Sequence, residues 1–145
     1  MDTVQIAELF RQGIDCGQVV LDAFSEELCL TQDEAYRIAS AFGGGLGKGE
    51  TCGAVAGAMI ALGMRFGFNA ENGSVQKEIM NGKRAAYAER FCASHGCLNC
   101  KGLLGYDISV PEELEAVLDK GLMFSLCPRL VKDSIEITRT LFDES

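Results

Sequence analysis

Three of the seven cysteines in this chain directly follow a residue that reads as a helix N-cap, in Asp15-Cys16, Thr51-Cys52 and Asn99-Cys100. A fourth, Cys127, follows Ser125 by two positions and precedes Pro128. The first turn of a helix carries unpaired N–H groups and the positive end of the helix dipole. Both bias a thiol toward thiolate, the form that attacks disulfides and binds metals. Basic neighbours act in the same direction, with Lys48 before Cys52, Lys101 after Cys100 and Arg129 after Cys127. Packing is the competing explanation, because free cysteine is among the most buried residue types. Cys29, beside Leu28 and Leu30 and without cap or cation, is assigned to packing.

Cys97-Leu98-Asn99-Cys100 is a C-x-x-C, the spacing of thiol–disulfide enzymes and of half a zinc or iron–sulfur site. A thioredoxin-like role requires a βαβ context, which the pattern lacks. Cys92, His95, Cys97 and Cys100 together have the spacing of a compact metal site, although a lone histidine at a helix end more often bonds a terminal carbonyl. The run Gly43-Gly44-Gly45-Leu46-Gly47-Lys48-Gly49-Glu50 fails as a nucleotide loop. It has one residue too few before Gly-Lys, no Ser or Thr after it, and Glu50 where a dinucleotide motif needs glycine. It reads as a helix-to-helix turn whose amides, with Lys48, can stabilise a thiolate or anion beside Cys52.

Apolar residues recur at helical spacing nearly throughout, as in Val19, Val20, Ala23, Phe24 and Leu28, or Leu130, Val131, Ile135, Leu141 and Phe142. The expected fold is all-α, a compact bundle of five to seven helices. They fall at roughly 3–12, 16–29, 31–42, 51–68, 74–96, 110–120 and 126–142. Thr31 to Glu34 and Ser109 to Glu112 have capping-box spacing, and Asp15 to Gln18 is a weaker version. Small residues in Cys52-Gly53-Ala54-Val55-Ala56-Gly57-Ala58 imply a close approach of backbones, since glycine costs a helix interior about 1 kcal/mol against alanine.

Residues 1–145 are expected to form one domain. A net charge of −8 and the absence of a basic stripe argue against nucleic acid as a partner. Met1 to Gln5 has no signal-peptide pattern, and the most apolar run, Cys52 to Phe68, is interrupted by Arg65. The expectation is therefore a cytoplasmic chain without stable membrane insertion, in a compartment where cysteines serve as thiols, catalysts or ligands more than as structural bridges.

The stretches Cys16-Gly17-Gln18-Val19-Val20-Leu21, Phe42 to Gly49, Cys52-Gly53-Ala54-Val55-Ala56-Gly57-Ala58, Cys100-Lys101-Gly102-Leu103-Leu104-Gly105 and Cys127-Pro128 are spread over most of the chain. Together they resemble the redox-active family named for its C-GCAxxG-C-C cysteine pattern. The resemblance puts Cys16, Cys52, Cys100 and Cys127 at the family positions and implies a redox role. Cys29, Cys92 and Cys97 are additions to that pattern.

Three functions follow from these residues. In the first, Cys16, Cys52, Cys100 and Cys127 meet at one end of the bundle and cycle between dithiol and disulfide with an unidentified redox partner. Cys52 or Cys100 attacks, and Cys97 or another cysteine resolves, as in a thiol–disulfide oxidoreductase. In the second, the same four thiolates hold an iron–sulfur cluster or a zinc ion, Cys127-Pro128 matching the cysteine–proline step of ferredoxins. In the third, the cysteines are core residues of a structural or binding bundle.

Overall fold

The computed structural model describes residues 1–144, which run α1 (Thr3–Arg11), α2 (Cys16–Asp22), α3 (Gln32–Ile38), the glycine-rich loop, α4 (Gly53–Phe66), α5 (Gly73–His95), α6 (Cys100–Leu104), α7 (Pro111–Asp119), α8 (Leu122–Ser125) and α9 (Cys127–Asp143). The all-α expectation holds. The described residues form nine α-helices rather than five to seven, because α6 and α8 are single turns too short to show a period. Left-handed glycines mark their ends, Gly105 after α6 and Gly121 before α8.

Local polar groups decide several boundaries. The Thr31–Glu34 box opens α3, and Gln18 Oε1 accepts from the Asp15 N–H at 2.8 Å to open α2. A further box at Asp2 and Gln5 opens α1. Ser109 does not cap α7: its N–H and hydroxyl both donate to Asp107 Oδ1, and the helix starts after Val110 with Pro111 in its first turn. Helix α2 stops seven residues before the expected 29. There the Ser25 hydroxyl donates to the Asp22 carbonyl, and the chain continues in tighter turns ending at Cys29, whose φ is 58°.

The core is one cluster built from Ile6 of α1, Val20 and Leu21 of α2, Val55 and Leu62 of α4, Tyr87 and Phe91 of α5, and Val131 and Leu141 of α9, joined by Phe24. Helix α9 presents Leu130, Val131, Ser134, Thr138, Leu141 and Phe142 on a single face, the 3.6-residue period of a half-buried helix. It packs against α1, α2, α4, α5 and α8, while α2 lies along α4 as the closest helix pair. No helix among the described residues is long and apolar enough to cross a membrane.

One buried cation secures the end of α9. Lys83 Nζ donates to the Leu141 carbonyl at 2.8 Å and the Glu144 carbonyl at 2.5 Å, and lies 4.4 Å from the centre of the Phe66 ring. Terminal carbonyls have no partner within the helix, so the ammonium satisfies them and complements the negative end of the dipole. Lys83→Met keeps the apolar stem and removes the donors. It is expected to lower stability by about 1–3 kcal/mol, read as a lower urea midpoint with unchanged m-value.

Candidate functional site

Two of the cysteines are brought together by backbone hydrogen bonds between their segments. The Cys52 N–H donates to the Leu98 carbonyl at 2.8 Å, and the Cys100 N–H donates to the Glu50 carbonyl at 2.6 Å, so Thr51 and Asn99 lie opposite each other in an isolated antiparallel bridge. Side chains alternate across an extended backbone, so Cys52 and Cys100 leave this bridge on the same side. The glycine-rich loop closes over it, with the Glu50 N–H donating to the Gly45 carbonyl at 3.0 Å. Gly45 has φ 61°, and a Cβ there would stand 2.9 Å from Cys100 Cβ, so the turn requires glycine.

The third cysteine arrives through close helix packing. A Cβ on Gly57 would lie 2.6 Å from the Gly17 carbonyl oxygen, and one on Gly17 would lie 2.9 Å from that of Gly53. With nothing but hydrogen at these positions, α2 and α4 pack backbone against backbone. The Cys16 sulfur then rests on Gly53, 2.3 Å from where a Cβ would stand, beside Cys52. Below, the Tyr87 hydroxyl and Ser134 Oγ are 2.7 Å apart, and Ser134 Oγ donates to the Ala54 carbonyl at 2.8 Å. This buried chain ties α5 and α9 to the first turn of α4.

Cys16, Cys52, Cys100 and Cys127 all line one cavity of about 160 Å³. Its other walls are apolar side chains from α1, α4, α6, α8, α9 and the connecting loops, with Asp15 as its single charged lining residue. Cys97 is not in the lining: its sulfur lies over Gly102 and 3.9 Å from the Asn99 carbonyl oxygen. His95 Nε2 is 2.8 Å from Asp133 Oδ2, and its ring packs on Phe91. Cys92 is half-buried on α5, and Cys29 is exposed. Among the described residues no group of three or more His, Cys, Asp or Glu side chains is spaced to hold a metal ion.

The helix starts act unequally on the sulfurs. Asp15 and Asn99 are the N-caps before Cys16 and Cys100, but Cys52 is itself the N-cap of α4. Ser or Asp more often stands at this position, which places the Cys52 side chain near the unpaired N–H groups of the first turn. The Cys52 thiol is held below its ordinary value, first by interaction with the Cys16 thiol and then by the N–H groups of Ala54 and Val55, against an opposing effect of burial. Cys16 shifts the other way, well above 9.0, through the same pairing with Cys52, burial and the charges of Cys52 and Asp15. Burial is the main cause at the remaining two, pushing Cys100 up to about 11 and Cys127 up to about 12. Lys48 and Arg129 are exposed, and Lys101 pairs with Asp107 at 3.3 Å. None of these cations counts among the causes that shift the sulfurs.

The arrangement thus sets the Cys16 and Cys52 sulfurs side by side, with Cys52 the more readily ionised of the two and two further thiols on the same wall. Sequence reading did not single out Asp15 as a lining residue, nor the cavity's apolar walls. These come from separate turns and helices that carry no motif.

A family model described as "Putative redox-active protein (C_GCAxxG_C_C)" matches residues 14–141. No match was found among curated proteins or among solved structures. The matched span contains all four cavity cysteines and both close-packed helices, and the chain belongs to this C_GCAxxG_C_C redox-active family.

Proposed function

We propose that the chain is a dithiol–disulfide redox protein whose exchanging pair is Cys16 and Cys52. The observation that carries this reading is the seat of the Cys16 sulfur on Gly53, beside the Cys52 sulfur at the start of α4. Cys52 is the attacking thiolate and Cys16 the resolving thiol. The order of events follows from their pairing. While Cys52 is ionised, its charge and hydrogen-bonding hold the proton on Cys16. Once Cys52 is in a mixed disulfide those two influences disappear, Cys16 ionises more readily, and it attacks the Cys52 sulfur. Cys100 and Cys127 stay protonated as neighbours of the pair.

Peptide mapping after equilibration in a thiol–disulfide buffer tests this assignment. The expected product is a Cys16–Cys52 disulfide that Cys52→Ser abolishes and Cys97→Ser leaves intact. A Cys97–Cys100 disulfide as the main product would overturn it.

The convergence of four cysteines on one cavity supports a second reading, ligation of an iron–sulfur cluster or zinc. That reading requires the sulfurs to draw together on loading, since no group of three is spaced for a metal as it stands among the described residues. Anaerobic purification followed by iron, sulfide and zinc analysis separates the two. Stoichiometric metal lost on replacing Cys16, Cys52, Cys100 or Cys127 would favour the cluster or zinc protein.

A further inference from the structure

The cavity beside Cys52 carries information about what that sulfur meets. Its volume of about 160 Å³ is close to that of an engineered apolar cavity that takes up benzene, which sets an aromatic ring as the scale of a well-fitting occupant. Phe10, Ile14, Leu103, Ile108, Met123 and Phe124 supply most of its apolar wall. No lysine, arginine or histidine lines it, and its one charged lining residue is Asp15. An anionic group placed there would lose water without gaining a countercharge, and would face a carboxylate. Cys52 itself is only 6% exposed, so whatever reacts with its sulfur must be slim enough to enter.

Resting on the dithiol reading above, we propose that the cavity selects a small, uncharged disulfide and seats one apolar arm against the Cys52 sulfur. The exchange balances without any further reagent. The Cys52 thiolate attacks the near sulfur of R–S–S–R, forming Cys52–S–S–R and releasing R–S⁻. That thiolate takes the Cys16 proton to become R–SH. The Cys16 sulfur then displaces the second R–S⁻, leaving a Cys16–Cys52 disulfide. Two protein sulfurs are oxidised and one substrate disulfide is reduced, with charge conserved. Disulfides bearing carboxylates are disfavoured by Asp15 and by desolvation, and polar uncharged ones by the loss of hydration without new hydrogen bonds.

The test follows the reaction phase that Cys52→Ser removes, with three probes: dithiodipyridine (aromatic and uncharged), hydroxyethyl disulfide (polar and uncharged) and dithiobis(nitrobenzoate) (aromatic and anionic). Each rate is divided by that of the urea-unfolded chain, which cancels the intrinsic reactivity of the probe. The normalised rate for dithiodipyridine is expected to exceed both others by about tenfold or more, the factor that corresponds to about 1.4 kcal/mol of selective binding. Ile108→Trp, which fills the cavity, is expected to abolish that preference. Saturating toluene should slow dithiodipyridine in the unmodified chain by competing for the cavity, a measurement independent of the variant's folding, and an unchanged rate would overturn the proposal. Equal normalised rates with a Cys16–Cys52 disulfide formed by all three probes would overturn the substrate class while leaving the dithiol reading in place. No Cys16–Cys52 disulfide with any probe would overturn both.

Discussion

Replacing Gly53 by alanine is expected to slow formation of the Cys16–Cys52 disulfide by about a hundredfold, because misplacing a reacting group by about 1 Å can cost that factor. The new methyl would stand 2.3 Å from Cys16 Sγ and 3.0 Å from the Phe42 carbonyl oxygen. A cysteine side chain relieves such a clash by rotating away, and rotation takes its sulfur off the Cys52 side. Gly57→Ala provides the contrast. Its methyl would lie 2.6 Å from the Gly17 carbonyl oxygen and 3.1 Å from Gly17 Cα, backbone atoms that move only if the helices separate. That substitution is expected to lower stability by about 1–3 kcal/mol, the usual cost of overpacking. Urea unfolding and the rate of disulfide formation, measured on both variants, check the pair of expectations. If Gly53→Ala formed the disulfide at the rate of the unmodified chain, the seat on Gly53 would not control the exchange.

Alkaline pH is expected to destabilise the reduced protein more than the fully exposed cysteines of an unfolded chain would suggest. Cys127 is pushed from 9.0 to about 12 and Cys100 from 9.0 to about 11, with burial as the first cause of both. The unfolded chain gives up these protons near pH 9, whereas the folded chain keeps them. Stability from both groups is therefore present in full below about pH 9 and lost as pH rises through their folded values. At about 1.36 kcal/mol per pH unit, Cys127 alone corresponds to a loss on the order of 4 kcal/mol between pH 9.0 and about 12. Cys16, also raised, adds to the loss, while the lowered Cys52 acts only below about pH 9, where it makes stability rise with pH. Urea midpoints of the reduced chain should fall steeply from pH 9 upward, and Cys127→Ala should flatten that slope by about one proton. An unchanged slope in the variant would show that Cys127 ionises as freely in the folded chain as in the unfolded one.

The helical period, the starts of α2 and α3, and the pairing of cysteines with helix N-termini were legible because each depends on residues within one or two turns. Asp15 and Asn99 are N-caps as their sequence neighbours imply, and the small residues of Cys52 to Ala58 announced a close approach. Local competition blurred the ends. Asp107 engages the Ser109 hydroxyl that was expected to cap α7, and Ser25 bonds Asp22 where α2 was expected to continue.

Sequence alone therefore determined the helical class, the family and the cysteines worth considering. Which cysteines meet depended on contacts between residues far apart in the chain. The Thr51–Asn99 bridge sets Cys52 and Cys100 on one side, and the glycine contact between α2 and α4 brings Cys16 to Cys52. Cys97, only three residues from Cys100, lies outside the cavity because it falls on the other side of the turn that opens α6. The ionisation of the sulfurs was decided at the same level. A helix start and a nearby lysine are local and favour thiolate, but burial by distant walls raises Cys100 and Cys127. Only at Cys52, the N-cap residue of α4 with Cys16 as partner, do the favourable contacts outweigh desolvation.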